Sequence, residues 1–320
     1  MSKATKIWLI IAASLVLVGC VVFGGVAAML KWDFTKLSTS KYETNHYEIN
    51  ESFSAIFVDV DTADIKFVLS EDSKCSVVCY DQKNMKHSVT VKDGALVIKV
   101  VDERKWYEHI GINFSSPSIT VYIPQGEYSQ LLLKSDTGDV EMPKDLKFEK
   151  IDISADTGDV TSYASASGNI KIKTSTGAVC VENISAKELD ISVSTGKIVA
   201  SRVKCDGEIK LKVSTGKTIL DDIVCENLSS NGSTGNITLK NVIASEVMSI
   251  ERSTGDVKFE GCDAAQIFIM TDTGNVKGSL LSEKIFIYHT DTGNVDLPHT
   301  TTGGRCEITT DTGDIKITIK

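Results

Sequence analysis

The sequence has few prolines, few cysteines and no excess of positive charge, and each shortage excludes a class of protein. Four prolines and 23 glycines in 320 residues exclude collagen-like and proline-rich low-complexity chains. Eight cysteines are too dilute for a small scaffold held together by disulfides. A formal net charge of -9 argues against nucleic acid as a partner, because phosphate binding requires an excess of lysine and arginine. The 42% of hydrophobic residues exclude a wholly disordered chain.

The first long hydrophobic run indicates a membrane segment. Residues 7–30 contain no charged side chain, and at about 1.5 Å per residue they are long enough to cross a bilayer. We predict a short tail at 1–6, a single transmembrane helix at 7–30, and an extracytoplasmic domain on its C-terminal side. In an alternative interpretation, the segment LVGC at 17–20 is a lipobox and Cys20 is the lipidated first residue of a cleaved lipoprotein. The apolar stretch after Cys20 favours the uncleaved helix.

A short phrase built around Thr-Gly recurs ten times after residue 130. Thr precedes the glycine in all ten copies, Asp or Ser precedes that Thr, and Val or Ile lies two residues after the glycine in nine copies, with Thr218 as the exception. Successive copies are separated by 19 or 20 residues. The turn glycines are Gly138, Gly158, Gly177, Gly196, Gly216, Gly235, Gly255, Gly274, Gly293 and Gly313. Ten copies at so fixed a period indicate a repeat architecture.

Apolar and polar residues alternate on both sides of each Thr-Gly, which is the pattern of short strands with one buried face. A glycine between two strands allows a corner with positive φ. A unit of this size cannot bury its own apolar face, whereas stacked coils can. The predicted fold is therefore all-β: a single-stranded β-solenoid, or β-helix, of 19–20-residue coils at 131–320, preceded by one transmembrane helix. The residues two positions after the glycines should form one inward ladder, and the threonines a second ladder at the turn.

The region before the repeats is predicted to close one end of the solenoid. Residues 56–67 follow the same pattern with Ala63 in place of the glycine, so we interpret them as a degenerate copy. They lie in an N-terminal β region, 51–130, that caps the solenoid, since a bare coil edge invites pairing with other chains. Residues 31–50 are predicted to be a linker. At the other end, Lys316, Thr318 and Lys320 are expected to protect an open edge.

The apolar start, the KWDFTKLST linker and the tandem (D/S)TG(D/N)(V/I) repeats resemble the bacterial putative-adhesin family. That family is of unknown function and includes LiaG-like proteins, and the head-GIN putative adhesins look related to it. The resemblance covers nearly all of residues 31–320. It implies a β-helix displayed at the cell envelope, and it supplies no catalytic residue and no cofactor.

The Asp-Thr-Gly turns have two functional interpretations besides turn chemistry. Asp-Thr-Gly is the aspartic-protease signature, but Ser replaces Asp at five of the ten turns, so we predict no catalytic residue. Asp136, Asp139, Asp156 and Asp159 lie on adjacent coils and are weak candidates for a Ca²⁺ site. Solvated acidic turns are the favoured interpretation, because Lys197 and Lys217 occupy the same position in the middle coils. The histidines are scattered and the cysteines lack metal-ligand spacing, so we predict no other metal and no cofactor.

Residues 103–114 depart most from the repeat and form a candidate interaction loop for a glycan, a membrane surface or a protein. Its residues are Arg104, Lys105, Trp106, Tyr107, His109 and Phe114. The alternative is an apolar cap that packs under the first coil. Elsewhere, Cys205 and Cys225 should stack in adjacent coils, either as a disulfide or as buried thiols.

The predicted function is that of a membrane-anchored interaction module, in adhesion or in envelope-stress sensing, and not that of an enzyme. Its expected partners are an envelope protein or a glycan, with no role for nucleic acid. Two alternatives remain, a polysaccharide-processing β-helix enzyme and a passive structural spacer of the envelope.

Overall fold

The computed structural model describes residues 2–33, 41–106 and 115–320. The chain begins with one helix, α1, which spans Lys3–Met29 and is long and apolar enough to cross a membrane. The helix starts four residues before the predicted span because Ser2 caps it, with its side chain accepting a hydrogen bond from the Thr5 N–H at 3.2 Å.

The remainder of the described chain is almost entirely β-structure, in 22 strands that belong to one sheet. The strands before the repeats are β1 Tyr42–Ile49, β2 Ala55–Thr62, β3 Asp64–Leu69, β4 Cys75–Gln82, β5 Met85–Lys92, β6 Ala95–Asp102 and β7 Ser118–Ile123. The next strands are β8 Glu127–Thr137, β9 Val140–Met142, β10 Lys147–Thr157, β11 Val160–Ser162, β12 Ser165–Ala166, β13 Asn169–Ala186, β14 Glu188–Cys205 and β15 Glu208–Thr234. The last are β16 Ile237–Thr254, β17 Val257–Thr273, β18 Val276–Leu280, β19 Lys284–Thr292, β20 Val295–Asp296, β21 Gly304–Thr312 and β22 Ile315–Ile319.

The predicted β-solenoid is confirmed, with about 10 turns. Strand β14 illustrates one coil, which pairs in parallel with β13 on one side and with β15 on the other. Two corners divide it into three straight segments. The first corner lies at Gly196 and the second at Arg202, which has a φ of 51°. The sequence pattern did not reveal this second corner, where the equivalent residues of the neighbouring coils are also left-handed.

The repeat stacks equivalent residues of successive coils on one another inside the solenoid. Val160, Val179 and Ile198, each two residues after a turn glycine, are fully buried and lie directly over one another. The turn threonines also stack in register, as in the pair Thr176 and Thr195, but their side chains are exposed. The interior is therefore a set of aliphatic ladders, and narrow ladders of this kind leave little room for aromatic side chains.

Several exceptions to the repeat converge on one buried arginine. Arg252 occupies an inward position and is only 2% exposed. Its guanidinium donates to the Ser230 carbonyl and hydroxyl oxygens, both at 2.9 Å, and to the Thr218 hydroxyl at 3.3 Å. At Gly232 a Cβ atom would lie 3.1 Å from the arginine side chain, so the glycine leaves room for it. Burial lowers the pKa of Arg252 to about 10. Thr218, the one break in the Val/Ile rank, is thus a hydrogen-bond partner in the core.

The order of coils in space differs from the order in sequence at both ends. The coil formed by β2 and β3 lies between β6 and β7 on one side and β8 and β9 on the other. The final coil, β21 and β22, is likewise inserted between β17 and β18 and the coil formed by β19 and β20. The expectation of an open edge is wrong at Lys316, which pairs with Lys277 on one side and with Asp296 on the other, whereas Thr318 pairs with Ser279 alone. The outermost coil exposes Ile287 and Tyr288 instead.

Antiparallel strands cover the end of the solenoid that lies nearer in sequence to α1. Strand β4 pairs antiparallel with β7 and with β1, and β5 pairs antiparallel with β6. The predicted linker at 31–50 is corrected here, since residues 42–49 form β1, whose alternating pattern leaves Tyr47 and Ile49 packed against the core. Residues 56–67 adopt the coil register predicted for a degenerate copy, with Ile65 beside Val140.

Candidate functional site

The acidic turns use their carboxylates to bind the backbone of the next coil. Asp139 accepts a hydrogen bond from the Asp159 N–H at 2.8 Å, and Asp159 accepts one from the Ala178 N–H at 2.7 Å. Asp256 accepts in the same way from Asn275 at 2.9 Å, which lowers the pKa of the Asp256 carboxyl. An Asp or Asn after the turn glycine therefore supplies an acceptor for the following coil.

This ladder of hydrogen bonds accounts for two of the four calcium candidates without a cation. Asp139 and Asp159 lie in the ladder, whereas Asp136 and Asp156 precede the turn and are exposed. Where Lys197 replaces the acceptor, the strand runs through the turn without a break. The calcium assignment stays a prediction.

The candidate interaction loop is only partly within the described residues. Tyr107, His109 and Phe114 lie outside them. Arg104 forms an ion pair with Asp102, with its Nη2 atom 2.7 Å from the Asp102 Oδ2 atom. Trp106 is 79% exposed. The role of this loop in binding also remains a prediction.

A row of lysines along the outer surface is the most regular charged feature of the solenoid. Lys134, Lys173 and Lys212 occupy the same outward position in every second coil, with Ser154 and Ser192 in the coils between them. At about 4.8 Å between coils, the spacing of these lysines is about 10 Å. Lys99 extends the row at the capped end, where Asp59 separates it from Lys134. We call Lys99, Lys134, Lys173 and Lys212 the lysine row.

The positive charge of the lysine row is only slightly compensated. The adjacent outward position alternates Asp152, Lys171, Asp190 and Lys210, so opposite charges lie side by side there. In the lysine row, serine takes the place of aspartate in two coils. Among the described residues, no ion pair within 4.0 Å involves a member of the row. All four of its side chains are exposed on a protein whose net charge is -9.

The row leads at the capped end into a shallow groove of about 350 Å³. Phe57, Val97 and Leu132, from three neighbouring strands, form its apolar part, and all three are half-buried. Lys92, Lys99 and Lys134 also line the groove and outnumber the two acidic lining residues, Asp59 and Asp93. The arrangement combines an apolar surface with cationic side chains, which suits an anionic ligand that carries an apolar or sugar-ring face.

The sequence analysis missed the lysine row, although a signal was present. Lysines recur at an interval of two coils, 39 residues, from 134 to 173 and from 173 to 212. This period is visible only once the coil register is known, because each lysine then has to be compared with its equivalent two coils away.

The cysteines of the repeats are free thiols, and all of them except the half-buried Cys180 are buried. Cys205 and Cys225 lie in adjacent coils, as predicted, and both are free. The Cys205 thiol donates to the Lys187 carbonyl oxygen at 3.3 Å, and burial raises the pKa of Cys225 to about 12. Such thiols act as small packing groups.

These features define a parallel β-solenoid with one apolar N-terminal helix and a basic exterior row. The Toastrack DUF4097 family model matches residues 53–210 and 201–320, and the chain belongs to this family. The resemblance to bacterial putative adhesins is confirmed with it. No curated protein matches the chain.

Solved structures of bacterial proteins share the fold at low sequence identity. A putative adhesin from Parabacteroides distasonis has 13% identity and a TM-score of 0.51, over 88% of this chain and 98% of its own. A putative lipid binding protein from the same species has 14% identity and a TM-score of 0.45, over 75% and 95%. A putative adhesin from Bacteroides fragilis has 17% identity and a TM-score of 0.39, over 87% and 97%. The first of these likenesses supports the fold alone.

Proposed function

We propose that the protein is a non-enzymatic interaction module of the cell envelope, anchored by α1, that binds a linear anionic polymer along the lysine row. The observation that carries the proposal is that lysines recur at every second coil of an otherwise acidic protein and form no ion pair within 4.0 Å among the described residues. Phosphate- or carboxylate-bearing glycopolymers of the envelope are the ligand class that this chemistry fits.

Geometry favours a polymer over a small anion. A rigid solenoid holds the lysines at fixed intervals of about 10 Å, so a chain with regularly spaced charges can meet several of them at once. Each exposed contact alone contributes little, because water and salt screen it. Affinity therefore depends on the number of lysines engaged together.

The groove provides a second type of contact at the end of the row. Phe57 and Leu132 offer an apolar surface beside Lys99 and Lys134. A sugar ring or acyl group that packs there would fix the register of the polymer on the solenoid, because the remaining contacts are purely electrostatic.

Anchoring by α1 is consistent with this role. The helix is long and apolar enough to cross a membrane. In the sequence it precedes the strands that cover the near end of the solenoid. An extracytoplasmic solenoid tethered in this way would present the lysine row to the surrounding envelope. The structure with a TM-score of 0.51 is named a putative adhesin, which supports an interaction role in general terms.

The test is binding of a purified anionic envelope glycopolymer to the full chain in detergent micelles. The variant Lys134→Gln/Lys173→Gln/Lys212→Gln should lose about 3- to 150-fold in affinity, since three lost contacts at about 0.2–1 kcal/mol each sum to about 0.6–3 kcal/mol. The control variant Lys144→Gln/Lys204→Gln/Lys258→Gln changes the net charge by the same amount at exposed positions outside the row and should bind normally. Equal losses in both variants would refute the row as the binding site. Full binding by both would refute an electrostatic role.

A further inference from the structure

The N-terminal strands enclose a cluster of three side chains that the sequence analysis did not connect. Cys79 and Asp81 lie two residues apart on β4, so both point to the same, buried face. A tight turn joins β4 to β5 and brings His87 to that face. The thiol, carboxylate and imidazole offer ligand atoms that all lie within 4.8 Å of one another, and all three residues are buried.

The carboxylate is held firmly in place. Asp81 Oδ1 lies 2.6 Å from the His87 Nδ1 atom. Its other oxygen accepts a hydrogen bond from the His87 backbone N–H at 3.1 Å and one from the Asn45 side chain at 3.2 Å. Tyr47 donates to the His87 carbonyl oxygen at 2.8 Å and so fixes the strand that carries the imidazole. These supports resemble the outer contacts that orient the ligands of metal sites.

One buried polar atom of the cluster has no protein partner. His87 Nε2 is inaccessible to water and makes no hydrogen bond within the described residues. Leaving such a group unpaired costs about 1–3 kcal/mol, so a fold that retains it usually provides a partner. The His87 and Asp81 side chains are both 0% exposed.

We propose that Cys79, Asp81 and His87 form a buried site for a divalent transition metal ion of the zinc type. Thiolate, imidazole and carboxylate are together the ligands that Zn²⁺ prefers, whereas Ca²⁺ and Mg²⁺ select oxygen ligands alone. Three protein ligands leave one coordination position for a water molecule. His87 would hold the ion with one imidazole nitrogen, Asp81 with a carboxylate oxygen and Cys79 with its sulfur.

Binding of a divalent ion displaces the Cys79 thiol proton to solvent, because the thiolate is the form of cysteine that ligates metal ions.

Asn45 offers a way to separate positioning from ligation. Its amide contacts Asp81 but belongs to β1, which pairs with β4 alone. Asn45→Ala leaves all three ligands in place and removes one of the groups that hold the carboxylate. A change of this kind lowers metal affinity by about 10- to 100-fold at known sites.

The experiment titrates the full chain in detergent micelles with Co²⁺, followed by optical absorption, and with Zn²⁺ in competition. We expect one equivalent of Co²⁺ to bind, with a thiolate-to-cobalt charge-transfer band that Zn²⁺ abolishes. Cys79→Ser should lose the band, Asn45→Ala should weaken binding as above, and Cys75→Ser, a buried thiol on the same strand, should leave it unchanged.

Two results would overturn the proposal. One is the absence of a stoichiometric thiolate band in the wild-type protein, which does not depend on any variant folding. The other is equal loss of the band in Cys79→Ser and Cys75→Ser when circular dichroism shows both variants to be folded. Because these readouts do not involve a polymer, failure of the metal site leaves the lysine row untested and intact.

Discussion

The substitution Gly216→Ala tests how closely the coils approach at the turn. Gly216 has a φ of 144°, and a Cβ atom there would lie 1.5 Å from the Gly196 carbonyl oxygen in the adjacent coil. A carbon and an oxygen atom in contact need about 3.3 Å. The two coils would have to separate locally by nearly 2 Å, which is beyond the reach of the backbone hydrogen bonds on either side of the glycine.

The expected loss follows from that separation. Gly216 is half-buried between exposed residues, so losing two backbone hydrogen bonds there costs about 1–3 kcal/mol, at about 0.5–1.5 kcal/mol for each bond. The positive φ adds about 1–2 kcal/mol for a residue with a Cβ. The total of about 2–5 kcal/mol is a large share of the stability of an ordinary domain, which is about 5–15 kcal/mol.

Gly94→Ala is the matched control, because it has a positive φ without the close approach. Gly94 lies in the tight turn between β5 and β6 with a φ of 74°, and a Cβ atom there would meet no other atom within 4 Å. The expected cost is the conformational one alone, about 1–2 kcal/mol. Urea unfolding of both variants, followed by far-ultraviolet circular dichroism, gives the comparison. Equal shifts of the two midpoints would refute the close-approach argument.

Three further substitutions test other parts of the fold. Arg252→Met leaves the Thr218 hydroxyl without its hydrogen-bond donor. Adding Thr218→Val should therefore recover about 1–3 kcal/mol of the free energy of unfolding lost in Arg252→Met. Strictly additive effects of the two substitutions in a double-mutant cycle would contradict the contact. Arg202→Asn should raise the free energy of unfolding by up to about 1 kcal/mol, because Asn tolerates a φ of 51° better than Arg does and the lost ion pair with Glu182 is exposed and contributes little. A lower urea midpoint than in Arg202→Gln, which also removes the ion pair, would argue against strain there. The Asn275 N–H holds the pKa of Asp256 below its usual value, so this contribution is present above about pH 4 and lost as the pH falls through the folded-state pKa. Asp256→Asn keeps an oxygen that can accept the Asn275 N–H but does not titrate, so stability should fall less steeply at acid pH. The same acid-induced loss of stability in the variant and the wild type would exclude the Asp256 carboxylate as a cause of that loss.

The repeat made the solenoid predictable, because it fixes both the period of the coils and the face that each residue occupies. Nine apolar residues two positions after the glycines specify the inward ladder, and Ala63 in the glycine position was enough to identify the degenerate copy at 56–67. The same regularity hid the order of the coils. Equivalent coils present similar ladders to their neighbours, so nothing local in the sequence shows that β21 and β22 insert before β19 and β20.

The functional features were harder to predict because they depend on contacts between distant residues. Cys79 and His87 meet only after a turn reverses the chain, and the alternation of β4 and β5 then turns both side chains inward. The charge of Arg252 predicts a surface position, but Gly232 leaves space for its side chain inside the solenoid. The lysine row requires the register of several successive coils before its spacing becomes visible.

The salt dependence of polymer binding tests the proposed function most directly. Each ionic contact releases counterions on binding, so the slope of log affinity against log salt concentration reports how many lysines engage together. The account predicts a steep slope for the wild-type chain that becomes shallower by about two to three in Lys134→Gln/Lys173→Gln/Lys212→Gln, with no change in the control that alters Lys144, Lys204 and Lys258. An identical slope in the wild type and the row variant would contradict it.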